Sequence, residues 1–246
     1  MQHGRITLAT ALRVLQQLSH DKRTLGLLFV VPCMLIGLMA WMFGSESMIF
    51  QMVGAPLLGI FPFVVMFLVT SITTLRERSA GTLERLLALP AGRLDVLMGY
   101  TLTFGLLAVV QGALVSSLAL YGLGLDVDGP QWFLILVAVI NALLGTTLGL
   151  FVSAFARTEF QAVQFLPAFF FPQLLLCGLF LPVEQLPTVL EAVARCLPLT
   201  YAVDAMQQVT RHVSLPPAAW HDIAVVGGFA LAAVLFGALT LRRRTK

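Results

Sequence analysis

Charged side chains are scarce in this chain. Asp, Glu, Lys and Arg make up 11% of it, whereas a soluble domain carries roughly 25% to wet its surface. Cysteine is nearly absent too: of the 3 residues, Cys33 and Cys177 lie inside long apolar runs and Cys196 falls between two of them. Cys196 has no partner on its own side, so no intrachain disulfide is expected. No Gly-rich phosphate loop followed by Lys-Ser/Thr occurs, which excludes ATP binding of the usual kind by this polypeptide. The 4 histidines, His3, His20, His212 and His221, lack metal-ligand spacing. His212 and Ser214 share a stretch with no third, orienting group, so they do not make a hydrolytic site.

What the chain has instead is apolar length. Hydrophobic residues make up 59% and mean hydropathy is +0.92. Six runs, 24–43, 52–73, 96–121, 131–155, 161–181 and 223–241, contain no Asp, Glu, Lys or Arg, and each approaches or exceeds the roughly 20 residues that cross a bilayer core as a helix. Helices are required, because an unpaired backbone group in lipid costs several kcal/mol. The expected fold class is therefore all-α and integral to the membrane, one domain over 1–246 with an amphipathic leader at 1–23. That leader starts its apolar run too late, and lacks the small-residue cleavage site, for a secretory signal.

Basic residues set the orientation. Arg5, Arg13, Lys22, Arg23, Arg76, Arg78, Arg85, Arg93, Arg157, Arg242, Arg243, Arg244 and Lys246 fall on one side, leaving only Arg195 and Arg211 on the other. The positive-inside rule places the first side, with both termini, in the cytosol. The net charge of +3 expresses this bias, and no nucleic-acid partner is expected. No carboxylate, Lys or His sits within a run, which weighs against a proton-coupled pump.

Residues 6–20 have helical amphipathicity: Leu8, Ala11, Leu12, Leu15 and Leu18 on one face, Arg13, Gln17 and His20 on the other. Such a helix lies in the inner-leaflet interface, as an anchor or as a lever touching a partner. Pro32, Pro56, Pro62, Pro167 and Pro172 interrupt spans 1, 2 and 5, and each frees a carbonyl that a neighbouring helix must satisfy. Gly145 and Gly149, one turn apart, permit close helix contact, within the chain in preference to a dimer seam. Polar residues inside spans, among them Gln111, Asn141, Gln161, Gln164 and Gln173, serve interhelical hydrogen bonds first. The stretch 182–222 carries Leu186, Val189, Leu190, Val193, Ala194 and Leu197 at helical spacing, the pattern of short outer helices dipping into the outer leaflet or capping the bundle.

The loop 75–90 is the most informative segment. Gly81 permits a break after span 2, Thr82 can cap a new helix, and Pro90 stops it. Leu83, Leu86 and Leu87 share one face, with Glu84 and Arg85 elsewhere. Two roles fit: a short helix seated in a socket on another protein, or a solvated loop whose arginines obey the positive-inside rule. The run Glu77-Arg78-Ser79-Ala80-Gly81-Thr82-Leu83-Glu84-Arg85-Leu86-Leu87 resembles the coupling segment of type-2 ATP-binding-cassette exporter permeases, especially bacterial drug and antibiotic exporters. The segment Leu197-Pro198-Leu199-Thr200-Tyr201, with Asp204, Ala205 and Arg211, is similar to the family's stretch before its last span. The short, basic-poor loop at 157–159 says little about a second docking point.

The resemblance implies a multi-pass subunit of the bacterial cell (inner) membrane. It would pair with a second permease protomer (identical or related) and with a separate ATPase subunit that holds ATP and Mg, this chain binding no cofactor. Glu77, Arg78, Gly81, Thr82, Leu83, Glu84, Arg85, Leu86 and Leu87 would form the ATPase-coupling site. It also implies that spans 2 and 5 line the pathway, which nominates Phe63, Phe67, Phe165, Phe169 and Gln164, although aromatics there also serve as core or lipid-facing filler. An aromatic, charge-free wall suits a hydrophobic or amphipathic cargo: a drug, an antibiotic, a lipid or a glycolipid. A membrane enzyme would need clustered carboxylates or a Ser/His pair at a span end, and an assembly protein would need no ATPase.

Overall fold

The computed structural model describes residues 2–80 and 93–240. Their elements are helices: α1 Gln2–His20, α2 Lys22–Phe43, α3 Met48–Ser79, α4 Arg93–Ser117 with a π-helical turn at Leu118–Gly122, α5 Gln131–Ser153, α6 Glu159–Leu176, a 3-10 turn at Val183–Gln185, α7 Thr188–Ala194, α8 Pro198–Arg211 and α9 Pro217–Thr240. Side-chain caps start several of them. Asp21 accepts from the Thr24 N–H at 3.2 Å, Ser47 from Phe50 at 3.1 Å, and Thr158 from Gln161 at 3.1 Å. Gln161 also accepts from the Arg157 N–H at 2.9 Å, tying the residue before the cap to the first turn.

Among the described residues, five helical segments are long and apolar enough to cross a membrane: Lys22–Phe43, Met48–Ser79, Met98–Gly122, Gln131–Ser153 and Pro217–Gly237. The expected span 161–181 differs. Its helix, Glu159–Leu176, has 18 residues, about 27 Å, and its two prolines and three glutamines dilute its hydropathy. It still runs the length of the bundle, from the Arg76 end of α3 to the start of α8, where Gln173 accepts from the Leu199 N–H at 3.4 Å.

Helix α3 is the axis. It has 32 residues, about 48 Å, and packs most extensively on α5. Gly145 and Gly149 make that seam. A carbon added at Gly149 would sit 2.6 Å from the Phe67 carbonyl oxygen, and one at Gly145 would overlap that of Phe63. The small-residue pair therefore works within the chain. The sequence places the end of span 2 near residue 73 and opens a loop at 75, but α3 continues to Ser79 because Leu75 and Glu77 are buried in the bundle.

The intramembrane prolines bend no helix to a stop, since α2, α3 and α6 continue through them. At Pro32 the orphaned acceptor is the Leu28 carbonyl, four residues back. Gln111 of α4, fully buried, donates to that carbonyl at 2.6 Å. One amide thus repairs the break and fastens α2 to α4.

The leader α1 packs on α4. Thr10, Val14 and Leu18 are buried, while Leu8 and Leu12 stay 58% and 52% exposed. This corrects the single apolar stripe read from spacing: one face meets protein and another is left for lipid. At the opposite end of the bundle α8, not the 186–197 stretch, supplies the cap. Its own Leu199, Val203, Met206 and Val209 are buried against the bundle, whereas Val189 of α7 is 75% exposed. There Trp132, Phe133 and Trp220 form an aromatic cluster with ring centroids 5.2–6.1 Å apart, the kind of group that settles at a membrane interface.

Gln111→Leu removes the donor and leaves the Leu28 carbonyl unpaired, a cost of about 1–3 kcal/mol. The same substitution should cost much less in a Pro32→Ala background, where the helix regains its own N–H donor. Thermal unfolding of the four proteins of this cycle in detergent measures the difference.

Candidate coupling site

Where α3 leaves the bundle, three elements meet around one carboxylate. Glu77 has a side chain only 4% exposed, and it accepts from the Arg13 guanidinium of α1 at 3.0 Å. The Tyr100 hydroxyl of α4 also donates to Glu77, on the same oxygen, and Arg13 donates to the Tyr100 oxygen at 3.1 Å. A carboxylate buried at the rim of an apolar bundle needs such partners, because stripping its water costs several kcal/mol. Thr103 of α4 donates to the Ala11 carbonyl at 2.9 Å and reinforces the α1–α4 seam.

Two further ties surround this clasp. Arg76 donates to Glu159 through Nε at 2.7 Å and through a terminal nitrogen at 2.9 Å, a bidentate pair joining α3 to the first turn of α6. The hydrogen bonds from Arg76 hold the Glu159 carboxyl below the usual carboxylate range. Asp21, which caps α2, is likewise held low by its hydrogen bonds from Thr24, with a smaller contribution from the charge of Arg76. Arg78 donates to the Ser153 carbonyl, at the last turn of α5. The end of α3 thus touches α1, α4, α5 and α6 within residues 76–78, immediately before the segment 81–92.

Of the residues nominated for ATPase coupling, Glu77 and Arg78 belong to this network and both point into the protein. Gly81, Thr82, Leu83, Glu84, Arg85, Leu86 and Leu87 lie outside the described residues. Spacing alone put Arg13 on the outward polar face of α1. The structure turns it inward, with its side chain 34% exposed, because a buried carboxylate waits one helix away. Tyr100 and Glu159 were not nominated at all. The one available signal was a lone acidic residue at the end of an apolar span, which demands a cationic or hydroxyl partner from elsewhere.

The nominated path residues separate into two sets. Phe63 and Phe67 are 2% and 1% exposed, with ring centroids 6.5 Å apart, and Phe63 stacks on Phe170 at 6.1 Å. They are core of a single protomer. Phe169 is 48% exposed, its ring lies 6.3 Å from that of the half-buried Phe165, and Gln164 is exposed beside them. Only this second set, on α6, offers a free wall.

Residues 7–210 match the family model for the ABC-2 type transporter. The chain is 30% identical over 141 residues to the ABC transporter G family member 20 of Dictyostelium discoideum, covering 57% of this chain and 19% of that protein. It is 27% identical over 154 residues to the probable multidrug ABC transporter permease YbhS of Escherichia coli K12, covering 62% and 41%. With the linearmycin resistance permease protein LnrN of Bacillus subtilis it shares 24% identity over 137 residues, covering 56% and 35%. The matched region thus spans less than half the length of each of these relatives. The family match runs from the leader through α8 and so takes in the clasp and the segment beyond it, and on that extent the chain belongs to the ABC-2 type transporter family.

Proposed function

We propose that this chain is the membrane-spanning permease subunit of an ATP-driven exporter of the bacterial inner membrane. The end bearing the 81–92 segment faces the cytosol, and a separate ATPase subunit, holding ATP and Mg, docks there. Two permease protomers, identical or related, enclose the pathway, and α6 crosses the bilayer as the sixth span. The cargo is hydrophobic or amphipathic, of the drug, antibiotic or lipid class. It meets the aromatic face of α6 and leaves past α7 and α8.

The observation that carries this reading is the gathering of α1, α3, α4, α5 and α6 at residues 76–78. A push on 81–92 reaches α3 directly, since α3 ends at Ser79 and only Ala80 intervenes, and α4 follows the segment from Arg93. The Arg13–Glu77–Tyr100 clasp keeps both helices and the leader in register, so displacement becomes tilt of the bundle instead of slack. An arrangement built for a static assembly role would need no such concentration of ties at one loop. The separation of the aromatic residues narrows the pathway reading to Phe165, Phe169 and Gln164, since Phe63 and Phe67 hold α3 against α5 and α6.

Glu84→Lys is expected to abolish co-purification of the ATPase subunit or its stimulation by the permease in proteoliposomes; normal ATP hydrolysis and association in that variant would overturn the assignment. The ties themselves should differ in weight. Arg13→Ala leaves a buried carboxylate without its cation and should cost about 3–5 kcal/mol. Arg76→Ala breaks a half-exposed pair and should cost under about 1 kcal/mol. Thermal unfolding in detergent reads both, and equal costs would show that the clasp is an ordinary surface contact.

A further inference from the structure

At the end of the bundle opposite residues 81–92, a cavity of about 350 Å³ opens between the start of α3, the α4–α5 connection and the last turn of α8. Its size falls within the range of small-ligand sites. Arg211 stands on the α8 side, Asp126 and Asp128 on the connection, and Met48 and Met52 flank it from α3.

The walls are held in place. The π-helical turn at Leu118–Gly122 and Gly124, at φ +71, redirect the chain after α4. The Gln51 amide then pins the connection to α3, donating to the Gly124 carbonyl at 3.0 Å and accepting from the Asp126 N–H at 2.8 Å. Three residues after Asp126, the Gly129 N–H donates to the Val209 carbonyl of α8 at 2.9 Å. Asp126 and Asp128 therefore ride on a short connection clamped at both ends, so a ligand would pay little ordering entropy there.

The charges around the cavity are not used internally. Among the described residues no ion pair within 4.0 Å involves Arg211, Asp126 or Asp128. A simple anion would meet Arg211 but face two carboxylates, and a simple cation would meet the reverse. A ligand carrying both signs satisfies all three. Met48 and Met52, 83% and 64% exposed, add an adaptable apolar flank. This end of the bundle also carries the Trp132–Phe133–Trp220 cluster, which sets it at interface depth.

The geometry points to a binding site for a zwitterionic phospholipid head group, with its phosphate on Arg211, its primary ammonium on Asp126 and Asp128, and the first acyl carbons over Met48 and Met52. Guanidinium matches phosphate in a bidentate fork. A primary ammonium has three protons to give to two carboxylates. A choline group has none and would look for an aromatic cage, which the residues lining this cavity do not include. The site is thus selective for phosphatidylethanolamine over phosphatidylcholine and phosphatidylglycerol. It rests on the chain lying in a bilayer and not on the coupling reading, so either can fail alone.

Native mass spectrometry of the full chain in mild detergent, with the three lipids added in equal amounts, tests this. The wild type should retain phosphatidylethanolamine with a preference of about tenfold, the factor that one charge-assisted contact supplies. Arg211→Gln should lower retention of all three lipids, because each carries the phosphate, and the double substitution Asp126→Asn with Asp128→Asn should turn the preference toward phosphatidylglycerol. All three side chains are exposed and unpaired, so unchanged thermal unfolding is expected of both variants and serves as the folding control. Free O-phosphoethanolamine at millimolar concentration should not displace the lipid. Displacement would assign the cavity to a soluble phosphoamine and overturn the lipid assignment. Equal retention of the three lipids by the wild type, or retention and preference untouched by both variants, would overturn the site itself.

Discussion

A carboxylate cannot stay buried at the edge of an apolar bundle without a cation and a donor, and the organisation of this protein's loop-bearing end follows from that constraint. Glu77 lies near the end of a 32-residue helix whose other buried residues are almost all apolar. Its demand for partners draws Arg13 inward from the leader and Tyr100 across from α4. The amphipathic helix that precedes the first span is thereby fixed to the helices on both sides of residues 81–92. Without Glu77, α1 would lose the carboxylate that its Arg13 is drawn to, and the hydrogen bonds from Arg13 to Tyr100 and from Thr103 to Ala11 would have to hold it to α4 beside the apolar seam.

The rest of the membrane body obeys the companion rule for backbone groups. Gln111 answers the carbonyl freed by Pro32, and the glycines at 145 and 149 let α5 approach the α3 backbone closely enough to exclude anything larger. These devices make the bundle stiff along α3. Stiffness matters for the proposed role, because a lever works only if its far end moves when its near end is pushed. Helix α8, packed on α3 and α5, is the element at the far end that such a movement would reach.

Much of this was legible in the residues. Apolar run length located the membrane helices, and the Gly145–Gly149 pair and the Pro32 defect each named a physical need that the structure meets inside the chain. Long-range pairing was not legible. Which face of α1 turns inward depends on Glu77, 64 residues away, and helical periodicity holds no information across that distance. Phe63 and Phe169 look alike in sequence, yet one is core and the other is free surface, because burial depends on which neighbours α3 and α6 find. The span at 161–181 stands out less clearly for a local reason: three glutamines and two prolines dilute the hydropathy of its 18-residue helix, which a charge-based criterion ignores.

The account stands or falls on whether the leader moves with the helices it is clasped to. Nitroxide labels at Gln17, exposed on α1, and at Met98, exposed on α4, read by pulsed electron–electron resonance in the reconstituted transporter, measure this directly. One narrow distance distribution should persist in the nucleotide-free and ATP-trapped states, and it should broaden when Arg13 is replaced by Ala. A distance that shifts with nucleotide while the clasp is intact, or one indifferent to Arg13, would contradict the claim that the clasp carries the motion.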